Sequence, residues 1–361
     1  MSEECPDCKD YAAGGEPFCG ACGRRLGDAA PDERVDDPAD STPGIEQEGQ
    51  GEARPSLEGV FFPALCAFIL AVALFEAAVL AANSGDVFGF LSDKYFAMSV
   101  LVPSPVRAFS LESGALQAYW VVVVCVILSC VAFATWGLAK SLWKRDGSPA
   151  SAAVEGTALF WVSIFFCAYY FITIAFTLIL SASGGDVTVP DFGDKVSQMF
   201  LMAEASVWEE VVTRLLLIGV PMAVISLAVT RKAESLKCLL GGFGMSTAAA
   251  VLIVLSAAVF GLAHYSGWDD QVWKVITTGV FGAALGYVFV RFGLYASILM
   301  HFIVNYISSF GWAGAGDIGD LVVMTSIGIG FVALCYIASK LWGSKESVNS
   351  LPLFRNGHVE E

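Results

Sequence analysis

Apolar residues run through this chain in long stretches separated by short polar intervals. About 20 consecutive apolar residues are what a helix needs to cross the ~30 Å hydrocarbon core of a bilayer. Eight segments approach or exceed that length: roughly Val60–Ala82, Leu116–Leu138, Thr157–Ser181, Phe200–Val229, Gly244–His264, Val272–Phe292, Ala296–Phe310 and Leu321–Leu341. The fourth is long enough for two pieces, with a break expected near Gly219-Val220-Pro221, and the seventh is short and interrupted by His301 and Asn305. Backbone polar groups in hydrocarbon must be satisfied within the segment. The pattern therefore predicts an all-α fold, a polytopic membrane bundle of about eight transmembrane helices.

The polar intervals set the orientation. Lys140, Lys144 and Arg145 follow the second span, Arg231, Lys232 and Lys237 the fourth, Arg291 the sixth, and Lys340, Lys345 and Arg355 the eighth. The alternate loops, 265–271 and 311–320, hold no Lys or Arg, and 182–197 holds only Lys195. Basic loops stay cytoplasmic, so a multi-pass cell-membrane protein with both termini cytoplasmic is expected. Residues 83–115 mix polar and apolar positions and read as a segment on the outer surface or a re-entrant piece.

Composition agrees: 56% hydrophobic and only 15% charged, against about 25% charged in soluble domains. The formal charge of −15 is unevenly placed, since residues 1–58 hold 15 of the 35 acidic and 5 of the 20 basic residues. No basic patch suggests nucleic-acid binding, and the polar first 58 residues show no cleavable signal-peptide pattern.

That polar start has two parts. Cys5-Pro-Asp-Cys8 and Cys19-Gly-Ala-Cys22 are paired knuckles whose four thiolates suit tetrahedral structural zinc. They resemble the short zinc ribbons that precede membrane domains in many bacterial proteins. Two disulfides are the alternative, which a reducing cytoplasm disfavours. From Gly27 to Ser56 the chain is rich in Asp, Glu, Pro and Gly and holds too little apolar surface to order itself. The expected organisation is a zinc ribbon (1–26), a disordered acidic linker (27–56), N-terminal transmembrane helices with a surface segment (57–156), a second membrane domain (157–341) and a cytoplasmic tail (342–361). The other six cysteines, without paired spacing, read as packing residues.

Glu209, Glu210 and Arg214 stand inside the fourth apolar stretch. An ionised side chain at the bilayer centre costs about 2.5–3.5 kcal/mol on the insertion scale, so such residues face a cavity and carry function. Glu210 and Arg214 are four apart and share a helix face, whereas Glu209 points about 100° away. Two of the three histidines, His264 and His301, also lie in apolar segments, and Asn305 follows His301 by one turn.

Glu-Glu-x-x-x-Arg, Phe260-x-x-x-His264 and His301-x-x-x-Asn305, in this order on successive groups of helices, resemble the CPBP family. It comprises the CAAX-type prenyl-protein endopeptidases and the Abi or bacteriocin-processing proteins. The resemblance covers roughly residues 157–341 and leaves out the ribbon and the linker. It implies a membrane metalloendopeptidase-like protease of the CAAX type. Glu209 would activate water with help from His264. His301 and Asn305 would polarise the scissile carbonyl and hold the oxyanion, and Glu210 with Arg214 would brace the site. Glu209, His264 and His301 also match the His₂Glu set of catalytic zinc sites, so a catalytic divalent metal and a metal-free mechanism both stand. The implied partners are the lipid bilayer and a membrane or membrane-associated peptide or protein substrate. A cytoplasmic protein docked on the ribbon would be a further partner.

The alternative is a non-hydrolytic bacteriocin-immunity or scaffold protein that uses the same site to bind peptide. A proton-coupled transporter is disfavoured, because the hydropathy shows no pair of similar halves.

Overall fold

The computed structural model describes residues 57–102, 104–145, 149–267 and 271–349. Cys5, Cys8, Cys19, Cys22 and the acidic linker fall outside the described residues. Among the described residues, eight helices are long and apolar enough to cross a membrane, and they form an all-α polytopic bundle. Its outside fits lipid rather than water: Phe133, Trp136, Val254, Leu321, Met324 and Phe331 each lie at least 60% exposed. Soluble proteins rarely leave such extended apolar surface uncovered.

The first span is α1 (Leu57–Phe90) and the second α2 (Ser113–Trp143). The short α3 (Ala150–Glu155) leads into α4 (Ala158–Ala182), where Thr157 caps the helix by accepting from the Phe160 amide. The fourth span opens with α5 (Lys195–Glu210), capped by Asp194 accepting from the Ser197 amide at 2.8 Å. It passes through a π-helical stretch, Val211–Gly219, and ends as α6 (Val220–Thr230). The expected break near Gly219 does not occur. Pro221 has no amide to donate, and the wider i→i+5 turns just before it carry the rod past that position.

A 3₁₀ stretch, Ala233–Leu240, precedes α7 (Thr247–Gly267) and α8 (Val272–Phe292). Gly293, at φ 103°, allows the sharp reversal into α9 (Leu294–Asn305). After one short turn, α10 (Ser309–Trp312), the chain ends as α11 (Gly316–Asn349). Its helix runs unbroken into what the hydropathy marks as tail from residue 342.

Residues 83–115 hold what the sequence pattern did not resolve. α1 continues to Phe90, and then β1 (Tyr95–Val102) pairs antiparallel with β2 (Ser104–Glu112), from Tyr95 opposite Glu112 to Val102 opposite Ser104. The hairpin lies along α5. Phe96 meets Phe200 edge-on at 5.1 Å, Phe109 meets Trp208 at 5.8 Å, and Trp208 Nε1 donates to the Ser99 carbonyl at 2.7 Å.

Close approach of α7 and α8 depends on small residues. A Cβ on Gly261 would stand 2.6 Å from the Val275 carbonyl oxygen, and one on Gly282 3.1 Å from Ala257 Cα. Small residues at four-residue spacing are how helices pack in lipid, where no hydrophobic drive brings them together. The described cysteines are free; Cys66, Cys130 and Cys167 are buried packing residues as expected, while Cys125 and Cys335 are exposed.

Candidate functional site

Glu209 and Glu210 close α5, and their adjacency turns them in different directions. Glu210 points into the bundle, where its side chain and that of Arg214 are both fully buried. Arg214 Nε lies 3.3 Å from Glu210 Oε2, an ion pair without hydrogen-bond alignment. The guanidinium also donates to Ser256 Oγ at 2.6 Å, and Ser256 passes its own hydrogen to the Thr213 carbonyl at 2.6 Å. Beneath it, the Phe260 ring lies 5.0 Å from Arg214 Cζ. Ser256, Phe260 and His264 follow one another at four-residue spacing, so one face of α7 supplies all three.

Glu210 uses its other oxygen to hold His301. His301 Nδ1 lies 2.9 Å from Glu210 Oε1, and the rings of Phe260 and Phe281 stand edge-on to the imidazole at 5.8 and 5.4 Å. His264 is fixed by a different acceptor, its Nδ1 donating to the Phe260 carbonyl at 2.8 Å. Each histidine thus spends Nδ1 on the protein and turns Nε2 toward Glu209. His264 Nε2 is 4.0 Å and His301 Nε2 3.7 Å from Glu209 Oε2. Glu209 is the most open of the group, with 26% of its side chain exposed against 3% for His301.

The opening is a cavity of about 310 Å³ whose lining includes Glu204, Trp208, Glu209 and His264, with Phe96 and Ser99 from the hairpin. The hairpin is therefore a wall of the site. It joins the ends of spans one and two away from Lys140, Lys144 and Arg145. The fourteen residues of α5 before Glu209 rise about 21 Å, which brings a carboxylate well inside span four level with His264 near the end of span five.

Asn305 is the exception among the expected site residues. It ends α9 and its Nδ2 donates to Ser206 Oγ at 3.3 Å and to the Met202 carbonyl at 3.5 Å, one and two turns before Glu209 on α5. Glu209, Glu210, Arg214, His264 and His301 form one connected cluster, and Asn305 ties α9 to α5 beside it. Sequence reasoning missed Ser256, Glu204 and the hairpin. Ser256 had a signal, being a polar residue two turns before His264 on the same face. Glu204, whose Oε1 lies 3.4 Å from the Tyr119 hydroxyl, sits one turn and a residue before Glu209 and was readable as a further acidic group in the same span.

The donor types suit a zinc ion: a carboxylate and two Nε2 atoms face one another, each imidazole oriented through Nδ1 as metal-bound histidines are. Among the described residues, however, no group of three His, Cys, Asp or Glu side chains is gathered closely enough to hold an ion. The same gap suits a water molecule, which would donate one hydrogen to Glu209 and the other to His264 Nε2.

Residues 196–307, a stretch that contains all six expected site residues, match the family model described as Type II CAAX prenyl endopeptidase Rce1-like. The match covers less than half of the chain. No curated protein and no solved structure matches it.

Proposed function

We propose that the chain is an intramembrane endopeptidase of the CAAX prenyl protease-like type, hydrolysing a peptide bond with water held among Glu209, His264 and His301. The observation that carries this is the convergence of two anchored imidazoles on one partly open carboxylate. The family match over 196–307 supports it.

The chemistry follows from the hydrogen-bond partners. Because the Phe260 carbonyl can only accept, His264 must carry its hydrogen on Nδ1, and its Nε2 is a lone pair when the ring is neutral. It orients water by accepting one of its hydrogens while Glu209 takes the proton as general base. The water oxygen bonds to the scissile carbon, and the carbonyl π pair moves onto oxygen. His301 donates Nδ1–H to Glu210, so its Nε2 carries a hydrogen only as an imidazolium. In that form it is held by the Glu210 carboxylate and stabilises the oxyanion, while Asn305, engaged with Ser206 and Met202, ties α9 to α5 beside it. Collapse of the tetrahedral intermediate breaks the C–N bond, and the proton on Glu209 passes to the departing amine. Arg214 supplies the charge that lets Glu210 stay ionised in a dry interior. A divalent metal would need Glu209, His264 and His301 gathered more closely than they stand here, and would supply a Lewis acid for the same water and carbonyl.

Glu209→Ala and His264→Ala, each expressed in membranes, are expected to lose substrate cleavage while retaining detergent-extracted monodispersity and melting temperature. Undiminished cleavage by either variant contradicts the assignment and leaves peptide binding as the role of the site. Treating active protein with a chelator separates the two chemistries: the metal route loses activity and regains it on adding Zn²⁺, while the metal-free route is unaffected. The ribbon with structural zinc at Cys5, Cys8, Cys19 and Cys22 belongs to the same reading, as does a cytoplasmic protein partner docked there.

A further inference from the structure

At the far end of α2 from the hairpin, three cations line one cavity of about 490 Å³: Lys140, Lys144 and Arg145. None of the three pairs with a carboxylate among the described residues. The nearby acid, Glu155, is engaged elsewhere, its Oε1 held 2.6 Å from Lys340 Nζ. Partial burial pushes Glu155 up, but hydrogen bonds from Lys340 and Tyr336 and the charges of Lys340 and Arg291 outweigh it and leave the carboxyl below its ordinary range. Glu155 is thus spent on Lys340 rather than on the basic pocket.

Tyr295 and Phe292 form the floor of this pocket and also line a second cavity, of about 640 Å³. The second cavity is apolar, walled by Val122, Val126 and Phe133 of α2 on one side and by Leu240, Leu294 and Ile298 on the other. It runs along α2 from Phe133 to Val121. Twelve residues of helix cover about 18 Å, close to the ~15 Å depth of one leaflet of hydrocarbon. Trp143, 90% exposed beside Lys144, marks the level of the headgroups.

The geometry points to a binding site for one anionic glycerophospholipid, its phosphate in the Lys140–Lys144–Arg145 pocket and one acyl chain in the apolar groove below. Charge complementarity selects the headgroup, since basic pockets between transmembrane helices on the positive side attract anionic lipids. The groove selects an amphiphile over a free anion, because a soluble phosphate leaves its apolar walls uncovered. Tyr295 joins the two halves, and its ring also meets Phe133 at 6.2 Å. The site lies on α2 and α9, so a bound lipid would fasten the helix that carries His301 to the outer layer of the bundle.

The test is native mass spectrometry of the full chain released from nanodiscs containing equal parts phosphatidylcholine and phosphatidylglycerol. Wild-type protein is expected to retain phosphatidylglycerol several-fold over phosphatidylcholine. Lys140→Gln/Lys144→Gln/Arg145→Gln is expected to bring the two to parity without changing the melting temperature in detergent. In unmutated protein, phosphatidylglycerol with a photoreactive acyl chain should crosslink between Val121 and Phe133 or between Leu294 and Ile298. Inorganic phosphate at millimolar concentration should leave the retained lipid in place. Equal retention of both lipids by the wild type, or crosslinks confined to other helices, overturns the site. Displacement by phosphate alone shows an anion pocket without a lipid and overturns it equally.

Discussion

At the residue scale, the two adjacent glutamates divide the work because the helix separates them. Glu210 is fully buried and met by Arg214 and His301, whereas Glu209 opens into the cavity. Removing the cation leaves a buried carboxylate without its charge partner, a loss worth about 3–5 kcal/mol. Arg214→Met should therefore lower the melting temperature sharply and abolish activity. Ser256→Ala, which removes one hydrogen bond from a charged partner, should cost only about 1–3 kcal/mol; thermal unfolding in detergent checks both. Glu76 is the opposite case. It is wholly buried in α1, and neither carboxyl oxygen has a hydrogen-bond partner. Replacing an unsatisfied polar group by an apolar one of similar shape is neutral or stabilising, so Glu76→Met should keep or raise the melting temperature and leave cleavage intact. Lost cleavage would place Glu76 in the catalytic machinery.

At the element scale, the site depends on how closely α7 sits against α8. Gly261 is three residues before His264 and packs on the Val275 carbonyl. A branched side chain there must push α7 outward, and an ångström of displacement at His264 is enough to cost about 10²-fold in rate. Gly261→Val is expected to reduce cleavage at least that far while the protein still inserts; unchanged rates would show that α7 does not position His264. What the sequence made legible follows the same boundaries. Long apolar runs declare membrane helices, because nothing else satisfies the backbone in lipid, and all eight spans were readable. The Glu210–Arg214 pair was readable from four-residue spacing alone. The hairpin was not, because Tyr95–Glu112 alternates too weakly for a strand signal and packs on α5 through Trp208, a contact far away in sequence. The π stretch around Arg214 was also hidden, since i→i+5 bonding has no residue signature of its own.

At the scale of the whole molecule, the bundle carries two polar features at opposite ends of its helices. The hairpin end holds the carboxylate and imidazoles in a walled cavity, and the basic end holds three cations above an apolar groove. A polar residue in lipid is expensive, so each such cluster argues for a ligand that compensates it: water and a peptide at the first, an anionic headgroup at the second. His264 and Glu209 come together only because the fourth span, 35 residues from Lys195 to Val229, is much longer than the bilayer requires while the fifth, Thr247–Tyr265, has 19, a difference in span length that hydropathy shows but cannot convert into depth. The positions quoted for the family resemblance meet in space except for Asn305, whose partners, Ser206 and Met202, lie one and two turns before Glu209. The central claim concerns Glu209, and it is tested most directly by comparing membrane peptides from cells that express the wild-type chain with those from cells that express Glu209→Gln. That substitution keeps the side chain's shape and removes the base, and general-base catalysis is worth about 10²–10⁴-fold. New peptide termini that accumulate with the wild type and vanish with the variant are the predicted result; the same termini in equal amounts from both would contradict it.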